Sequence, residues 1–141
     1  MTVFNLHSNS NGLGELISIE SLKDIPFEIK RVFYIFNVDI NSKRGNHAHF
    51  LTKQCLISIS GSCTIFLDNG LGFKKEYVLD SPKKYLLQDT LVWGSMYNFS
   101  KDNILLVLAN TNYSEKDYIK TYDQFLKVVT TKYKPDEKNN I

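Results

Sequence analysis

The sequence is poor in the residues that bind metal ions and phosphate groups strongly. Its 141 residues include three histidines, two cysteines and only two arginines. The positive residues are nearly all lysines, they form no basic stripe, and the net charge is only +2, so a nucleic-acid-binding surface is not indicated. No apolar run approaches the roughly 20 residues of a membrane helix, and the N-terminus lacks a signal-peptide pattern. We therefore expect a cytoplasmic protein.

The two cysteines, Cys55 and Cys63, flank the sequence LISISGS. If residues 61 and 62 form a two-residue hairpin loop, Ser60 faces Cys63 and Cys55 faces Asp68. The thiols would then be too far apart for a disulfide. We expect two buried free thiols in a reducing compartment.

Short apolar and β-branched runs recur along the chain, separated by turn residues such as Asn-Gly and Asp-Asn-Gly. This spacing predicts an all-β antiparallel sandwich or barrel. The length suits one core, so residues 1–141 are expected to form a single domain with a disordered tail at 134–141. The predicted strands cover residues 15–19, 31–38, 53–59, 63–68, 76–79, 84–88, 90–93 and 104–109.

One helix is predicted over residues 121–133, TYDQFLKVVTTKY. Its apolar residues recur at positions i, i+3, i+4 and i+7, which gives the helix a single apolar face. Thr121 and Gln124 have the form of a capping box at its start. Tyr118, Tyr122 and Phe125 are interpreted as packing residues of this helix.

The most informative stretch is KRGNHAHFLTKQ, residues 43–54, because it holds two of the three histidines. In a strand, His47 and His49 would project to the same side. Two imidazoles that face one cavity suit either a metal ion or proton transfer.

The histidines, Gln54 and the flanking glycines of residues 45–61 resemble the first motif of the cupin superfamily. That motif has a carboxylate where this chain has Gln54. The second cupin motif supplies another histidine, but the corresponding residues 91–99 contain none. Two imidazoles and an amide fall short of the three protein ligands of a typical catalytic metal site, so we expect no metal. Proton transfer remains, and imidazole suits it near neutral pH.

Several longer stretches resemble one family, the dTDP-4-oxo-6-deoxyglucose 3,4-ketoisomerases, which are WxcM-like sugar-nucleotide cupins. IPFEIKRVFYIFNV, RGNHAH, GSCTIFLDNG, LDSP, VLANTNYSEKDYI and YDQF follow in the family's order, over roughly residues 10–127. The resemblance implies a cupin jelly roll without cofactor and a homodimer with exchanged N-terminal strands. It also implies a dTDP-linked 4-oxo-6-deoxy sugar as substrate. The ketone would move from C4 to C3, giving a dTDP-3-oxo-6-deoxyhexose for 3-amino-3,6-dideoxy sugar biosynthesis.

Within this resemblance His49 corresponds to the catalytic base and His47 to its partner at the sugar oxygens. Arg44 and Arg31 are the only guanidinium groups that could bind a pyrophosphate bidentately, although each could instead form a surface ion pair. Five further residues are candidates for substrate binding: Tyr34, Gln54, Tyr97, Ser95 and Trp93. Core packing is the alternative for Tyr34 and Trp93, and a hydrogen bond to His49 is the alternative for Gln54.

Two stretches depart from the family pattern. Residues 11–14 read NGLG where relatives have D-x-R-G, so a phosphate-contacting arginine is missing. Residues 93–97 read WGSMY where many relatives have W-H-x-x-H, so Tyr97 or Ser95 would have to replace the lost histidines. These departures sustain a second hypothesis, a non-catalytic cupin that binds a sugar nucleotide.

Overall fold

The computed structural model describes residues 2–133, which form two five-stranded antiparallel sheets and one C-terminal helix. The prediction of an all-β sandwich is confirmed. No helix in residues 2–133 is long and apolar enough to cross a membrane. The elements are β1 (Val3–Asn5), β2 (Asn9–Ser10), β3 (Glu15–Leu16), β4 (Arg31–Phe36), β5 (Arg44–His49), β6 (Gln54–Ser60), β7 (Cys63–Asp68), β8 (Lys74–Leu79), β9 (Lys84–Gln88), β10 (Trp93–Tyr97), β11 (Ile104–Ala109), β12 (Tyr118–Ile119) and α1 (Tyr122–Tyr133).

The chain passes back and forth between the two sheets, as in a jelly roll. The first sheet has the order β1-β9-β6-β11-β4, and the second has the order β12-β5-β10-β7-β8. A separate ribbon joins β2 to β3. From β4 to β12 successive strands alternate between the sheets, except that β7 and β8 pair within the second. Because alternate residues of a strand face opposite sides, each sheet presents one set of side chains to the other.

The main core lies between the sheets. Leu56, Leu86 and Val107 of the first sheet pack there with Leu67 and Met96 of the second. Two smaller clusters cover the outer faces. Residues from the segment 17–29 pack on the first sheet, and α1 packs on the second.

The hairpin considered at residues 61 and 62 does not form, because β6 and β7 belong to different sheets. Gly61 turns the chain from one sheet to the other with φ +64°, and a Cβ there would overlap the side chain of Ser100. The chain therefore crosses from the first sheet to the second at this end of the sandwich, and β6 and β7 are not joined by a two-residue hairpin turn. Cys55 and Cys63 are nevertheless buried and free, as expected.

The strand predicted at 90–93 is also misplaced, since β10 begins only at Trp93. The preceding residues form a turn in which the Thr90 amide bonds to Asp89 and Leu91 has φ +56°. The predicted helix is confirmed, and Thr121 Oγ1 accepts the Gln124 amide at 3.2 Å. Of the strand predicted at 15–19, only residues 15 and 16 form a strand, which pairs with β2. The tail predicted at 134–141 lies outside the described residues.

Candidate active site

Strand β5 places both central histidines on the inner face of the second sheet. His47 lies opposite Gly94 of β10, which in turn lies opposite the core residue Leu67. The two imidazole rings are 4.9 Å apart and nearly perpendicular, at 88°. The register between β5 and β10 shifts beside Gly94, and Gly45 accommodates this shift with φ +79°. A Cβ on Gly45 would lie 3.0 Å from the Gly94 carbonyl oxygen, so a side chain is disfavoured there.

The second imidazole forms a dyad with a buried carboxylate. His49 Nδ1 lies 2.9 Å from Asp117 Oδ2, and both side chains are almost fully buried. Asp117 Oδ1 also accepts the Leu51 amide at 2.6 Å, and Oδ2 accepts the hydroxyl of Thr52. The carboxylate is thereby fixed in one orientation and presents an acceptor to the ring.

This arrangement sets the tautomer of His49. Since a carboxylate only accepts, Nδ1 carries the proton and Nε2 carries a free lone pair. Among the described residues, Nε2 is buried without a hydrogen-bond partner. An unpaired imidazole nitrogen held in this orientation is suited to accept a proton from a bound ligand.

Burial keeps the histidines neutral. It lowers the pKa of His47 below its usual value of 6.5. Burial also lowers the pKa of His49, and although the Asp117 carboxylate opposes this, the charges of His47 and Arg31 reinforce it. The pKa of Asp117 itself is lowered, because bonds from Thr52, Leu51 and His49 together outweigh the effect of burial.

Aromatic rings enclose the pair. Tyr118 of β12 lies opposite His49, and its ring centroid is 4.4 Å from that of His49 and 4.9 Å from that of His47. The ring centroid of Tyr113 lies 5.8 Å from that of Tyr118. The guanidinium of Arg31 lies 5.7 Å from the Tyr113 ring, and its buried Nε has no partner among residues 2–133.

The first sheet contributes a cross-strand row to the same end of the sandwich. Gln88, Gln54, Ala109 and Arg31 are successive partners on β9, β6, β11 and β4. Cross-strand partners share a face of the sheet. Gln54, Gln88 and Ala109 each lie two residues along the strand from a core residue (Leu56, Leu86 and Val107), so the row faces inwards. The row therefore brings two amides and a guanidinium to the interior that the histidines face.

Two of the sequence-predicted binding residues thus join the histidines: Gln54 and Arg31. Among residues 2–133, no group of three or more His, Cys, Asp or Glu side chains is placed to hold a metal ion.

The other predicted residues lie elsewhere. The neighbours of Gly94 on β10 face outwards, where Trp93 packs on α1 and Ser95 Oγ donates to Asn46 Oδ1. Tyr97 donates to Glu76, and burial together with that carboxylate raises its pKa to about 12. The structure therefore does not bring these three side chains to the histidines, because alternate residues of a strand face opposite sides.

Arg44 and Tyr34 line a different cavity, of about 420 Å³, with residues 35–39 and Ser42. Both are exposed, and Tyr34 stacks on Phe36 at 5.9 Å. This cavity lies beside the loop between β4 and β5.

Three site residues were missed from the sequence: Asp117, Tyr118 and Gln88. The interpretation of Tyr118 as a helix-packing residue is wrong, since it belongs to β12 and contacts the histidine rings. A signal was available, because Asp117 and Tyr118 fall within VLANTNYSEKDYI, one of the stretches that carry the family resemblance.

The chain is similar to several known proteins. The family model described as FdtA, WxcM-like, C-terminal matches residues 1–130. A TDP-4-oxo-6-deoxy-α-D-glucose-3,4-oxoisomerase from Aneurinibacillus thermoaerophilus is 42% identical over 127 residues, covering 90% of this chain and 91% of the relative. A crystal structure of a 3,4-ketoisomerase from Helicobacter canadensis matches with a TM-score of 0.87 and 41% identity, over 91% of this chain and 96% of that one.

A mutant of the 3,4-ketoisomerase QdtA from Thermoanaerobacterium thermosaccharolyticum, crystallised with TDP-4-keto-6-deoxyglucose, also matches. Its TM-score is 0.89 at 36% identity, and the match covers 94% of this chain and 95% of that one.

Proposed function

The chain belongs to the FdtA, WxcM-like family, and on that premise we propose that it is an isomerase, a sugar-nucleotide 3,4-ketoisomerase. Its substrate is dTDP-4-oxo-6-deoxyglucose and its product a dTDP-3-oxo-6-deoxyhexose. The observation that carries the proposal is the dyad of His49 and Asp117, which leaves Nε2 buried and unpaired on the inner face of the second sheet.

The first step removes the C3 proton of the hexose. The C4 ketone acidifies this proton, and His49 Nε2 takes it because the neutral ring is a base at physiological pH. The electrons of the C3–H bond form an enediolate across C3 and C4. The nearby charge of Arg31, which already acts on His49, stabilises this anion.

In the second step the imidazolium of His49 gives a proton to C4, which leaves the ketone at C3 and restores the neutral base. His47 hydrogen-bonds the sugar oxygens and passes the hydroxyl proton from O3 to O4, and its ring lies 4.9 Å from that of His49. One C–H bond is broken and one is formed, so no net oxidation occurs. Imidazoles suit both transfers, since each ring can accept and donate.

Arg44 binds the pyrophosphate at the cavity that it shares with Tyr34. In support, Arg44 forms no ion pair within residues 2–133, so its guanidinium is available for a bidentate contact. The cavity volume of about 420 Å³ suits a ligand portion of this size.

The protein acts as a homodimer that exchanges its N-terminal strands. In support, β1 is a three-residue edge strand, and the neighbouring segment exposes Leu13 and Leu16. The outer face of edge strand β4 also exposes an apolar row, Val32, Tyr34 and Phe36, each more than half accessible.

Crosslinking tests the exchange. Phe4 of β1 lies opposite Tyr85 of β9, so Phe4→Cys/Tyr85→Cys joined by a short thiol crosslinker should give a covalent dimer. A dimer by light scattering whose crosslinked product stays monomeric on a denaturing gel would contradict the exchange. The single variants, crosslinked under the same conditions, serve as controls.

The enzyme works in the cytoplasm and supplies a 3-aminotransferase. The two free buried thiols, Cys55 and Cys63, are compatible with a reducing compartment.

Incubation with dTDP-4-oxo-6-deoxyglucose and a 3-aminotransferase tests the function. We expect a 3-amino product, identified by NMR, and deuterium at the carbon that gains the new proton when the reaction runs in D₂O. Binding of TDP without exchange or product would instead favour the non-catalytic sugar-nucleotide cupin.

A further inference from the structure

Gly94 leaves an unfilled position in the inner row of β10, and a side chain from the opposite sheet fills it. A Cβ built on Gly94 would lie 2.5 Å from Gln88 Nε2 and 3.0 Å from both Cδ and Oε1. The amide of Gln88 therefore stands where a side chain at position 94 would begin. Gln88 enters from β9 of the first sheet, so this contact bridges the two sheets.

The amide of Gln88 lies beside the catalytic pair. Gly94 is the cross-strand partner of His47, and Cβ positions of such partners are about 5 Å apart. The Gln88 amide is then within roughly 8 Å of the His47 Cβ and on the same face. It is also the direct partner of Gln54 in the inner row of the first sheet.

The amide has unused hydrogen-bonding capacity. Among the side-chain hydrogen bonds of residues 2–133, Gln88 makes one, from Nε2 to the Val92 carbonyl at 3.0 Å. One further N–H and the oxygen Oε1 make no side-chain hydrogen bond, and neither atom is among the fully buried, unpaired polar atoms of residues 2–133. The amide can therefore bond a ligand without giving up a contact of its own.

We propose that Gln88 is a substrate-binding residue whose amide hydrogen-bonds the hexose, and that Gly94 is needed to admit it. The inference rests on the proposed function, because the reacting carbons must lie at His47 and His49. The part of the substrate beside His47 and Gln88 is then the sugar and not the nucleotide. The bond to Val92 fixes the amide, so Oε1 presents an acceptor to a sugar hydroxyl.

A double-mutant cycle tests this assignment. Gln88→Ala should lower kcat/KM for dTDP-4-oxo-6-deoxyglucose about three- to tenfold, as expected for one lost hydrogen bond, while the Kd of TDP stays within about twofold. Gly94→Ala should fold, because the clash is with the end of a flexible side chain, and should give a similar loss by displacing the amide. The double variant should lose no more than the larger single variant.

Two further variants separate binding from structure. Gln88→Met keeps the length of the side chain without its polar atoms, and it should match Gln88→Ala in kcat/KM. Gln124→Ala changes an exposed glutamine of α1 and should leave kcat/KM unchanged.

Each result has a defined meaning. The inference is overturned if the losses in kcat/KM of Gly94→Ala and Gln88→Ala multiply in the double variant. It is also overturned if Gln88→Met has the kcat/KM of the wild type. An equal loss of TDP affinity also overturns it, since the role would then be structural. A wild-type protein that fails to isomerise the sugar overturns the proposed function, and with it this inference.

Discussion

Replacing Asp117 by asparagine tests the proposed base more sharply than removing the histidine. The carboxylate accepts from His49 Nδ1 at 2.9 Å and from the Leu51 amide at 2.6 Å. In Asp117→Asn the amide oxygen must face Leu51, because an NH₂ group there would meet another donor. The NH₂ group then faces His49 Nδ1 and donates to it. The ring is driven to the tautomer with its proton on Nε2, where it cannot act as a base.

The size of the effect follows from this switch. To act, the ring must return to its active tautomer and give up a hydrogen bond. A charge-assisted bond contributes about 1.5–3 kcal/mol, or roughly 10- to 150-fold in rate. Complete loss of a general base sets the limit at about 10⁴-fold. We therefore expect isomerisation by Asp117→Asn to fall by about 10- to 150-fold.

The assay follows the C3 proton directly. Loss of the C3 signal of dTDP-4-oxo-6-deoxyglucose in D₂O, followed by NMR, reports proton abstraction whatever the later steps do. The Kd of TDP and the melting temperature show whether the cavity survives. Glu115→Gln is the matched control, since it removes an exposed carboxylate two residues away that pairs with Lys120.

Near wild-type exchange by Asp117→Asn would refute this reasoning. His49 Nε2 could then not be the base, and Tyr118, whose ring lies 4.4 Å from that of His49, would become the first candidate. The measurement therefore discriminates between two neighbouring groups in one cavity.

Four further predictions concern the histidines, Arg44 and the absence of a metal. His49→Asn should abolish C3 exchange while TDP still binds, whereas His47→Asn should be milder or block a later step, as NMR of the exchanged substrate will show. Arg44→Ala should weaken TDP binding more than tenfold by calorimetry, and a change within threefold would argue against a pyrophosphate contact. Purified enzyme should contain well under one equivalent of zinc, iron or manganese by elemental analysis, and chelator should leave activity intact. Burial lowers the pKa of His47 and His49 below 6.5, so the free energy of unfolding should fall as the pH drops below about 6.5. Denaturant titration should show a less steep fall for His47→Gln, which lacks one of the two imidazoles.

The sequence predicted well what local patterns determine. The runs at 63–68, 84–88 and 104–109 form strands with the predicted bounds, because short apolar and β-branched runs between turn residues favour strands. The helix and its Thr121 cap follow from the 3.6-residue period. The histidine pair was found for the same reason, since residues two apart on a strand share a face.

Long-range contacts were beyond such patterns. Asp117 is 68 residues from His49, and nothing in local periodicity relates them. A hairpin was considered at residues 61 and 62, but the chain crosses there to the other sheet, where Gly61 lies close to Ser100. Tyr97 was considered a replacement for the missing histidines, although its place on β10 sends it to the outer face.

The outward position of Tyr97 also explains why the cavity depends on both sheets. On β10 only Gly94 and Met96 face inwards, and neither supplies a polar side chain. The polar groups opposite the histidines must therefore come from the first sheet. Gln88 and Gln54 provide them as direct partners on β9 and β6. A one-residue slip of β9 against β6 would turn Gln88 outwards, so strand register fixes the chemistry of this cavity as firmly as the histidines do.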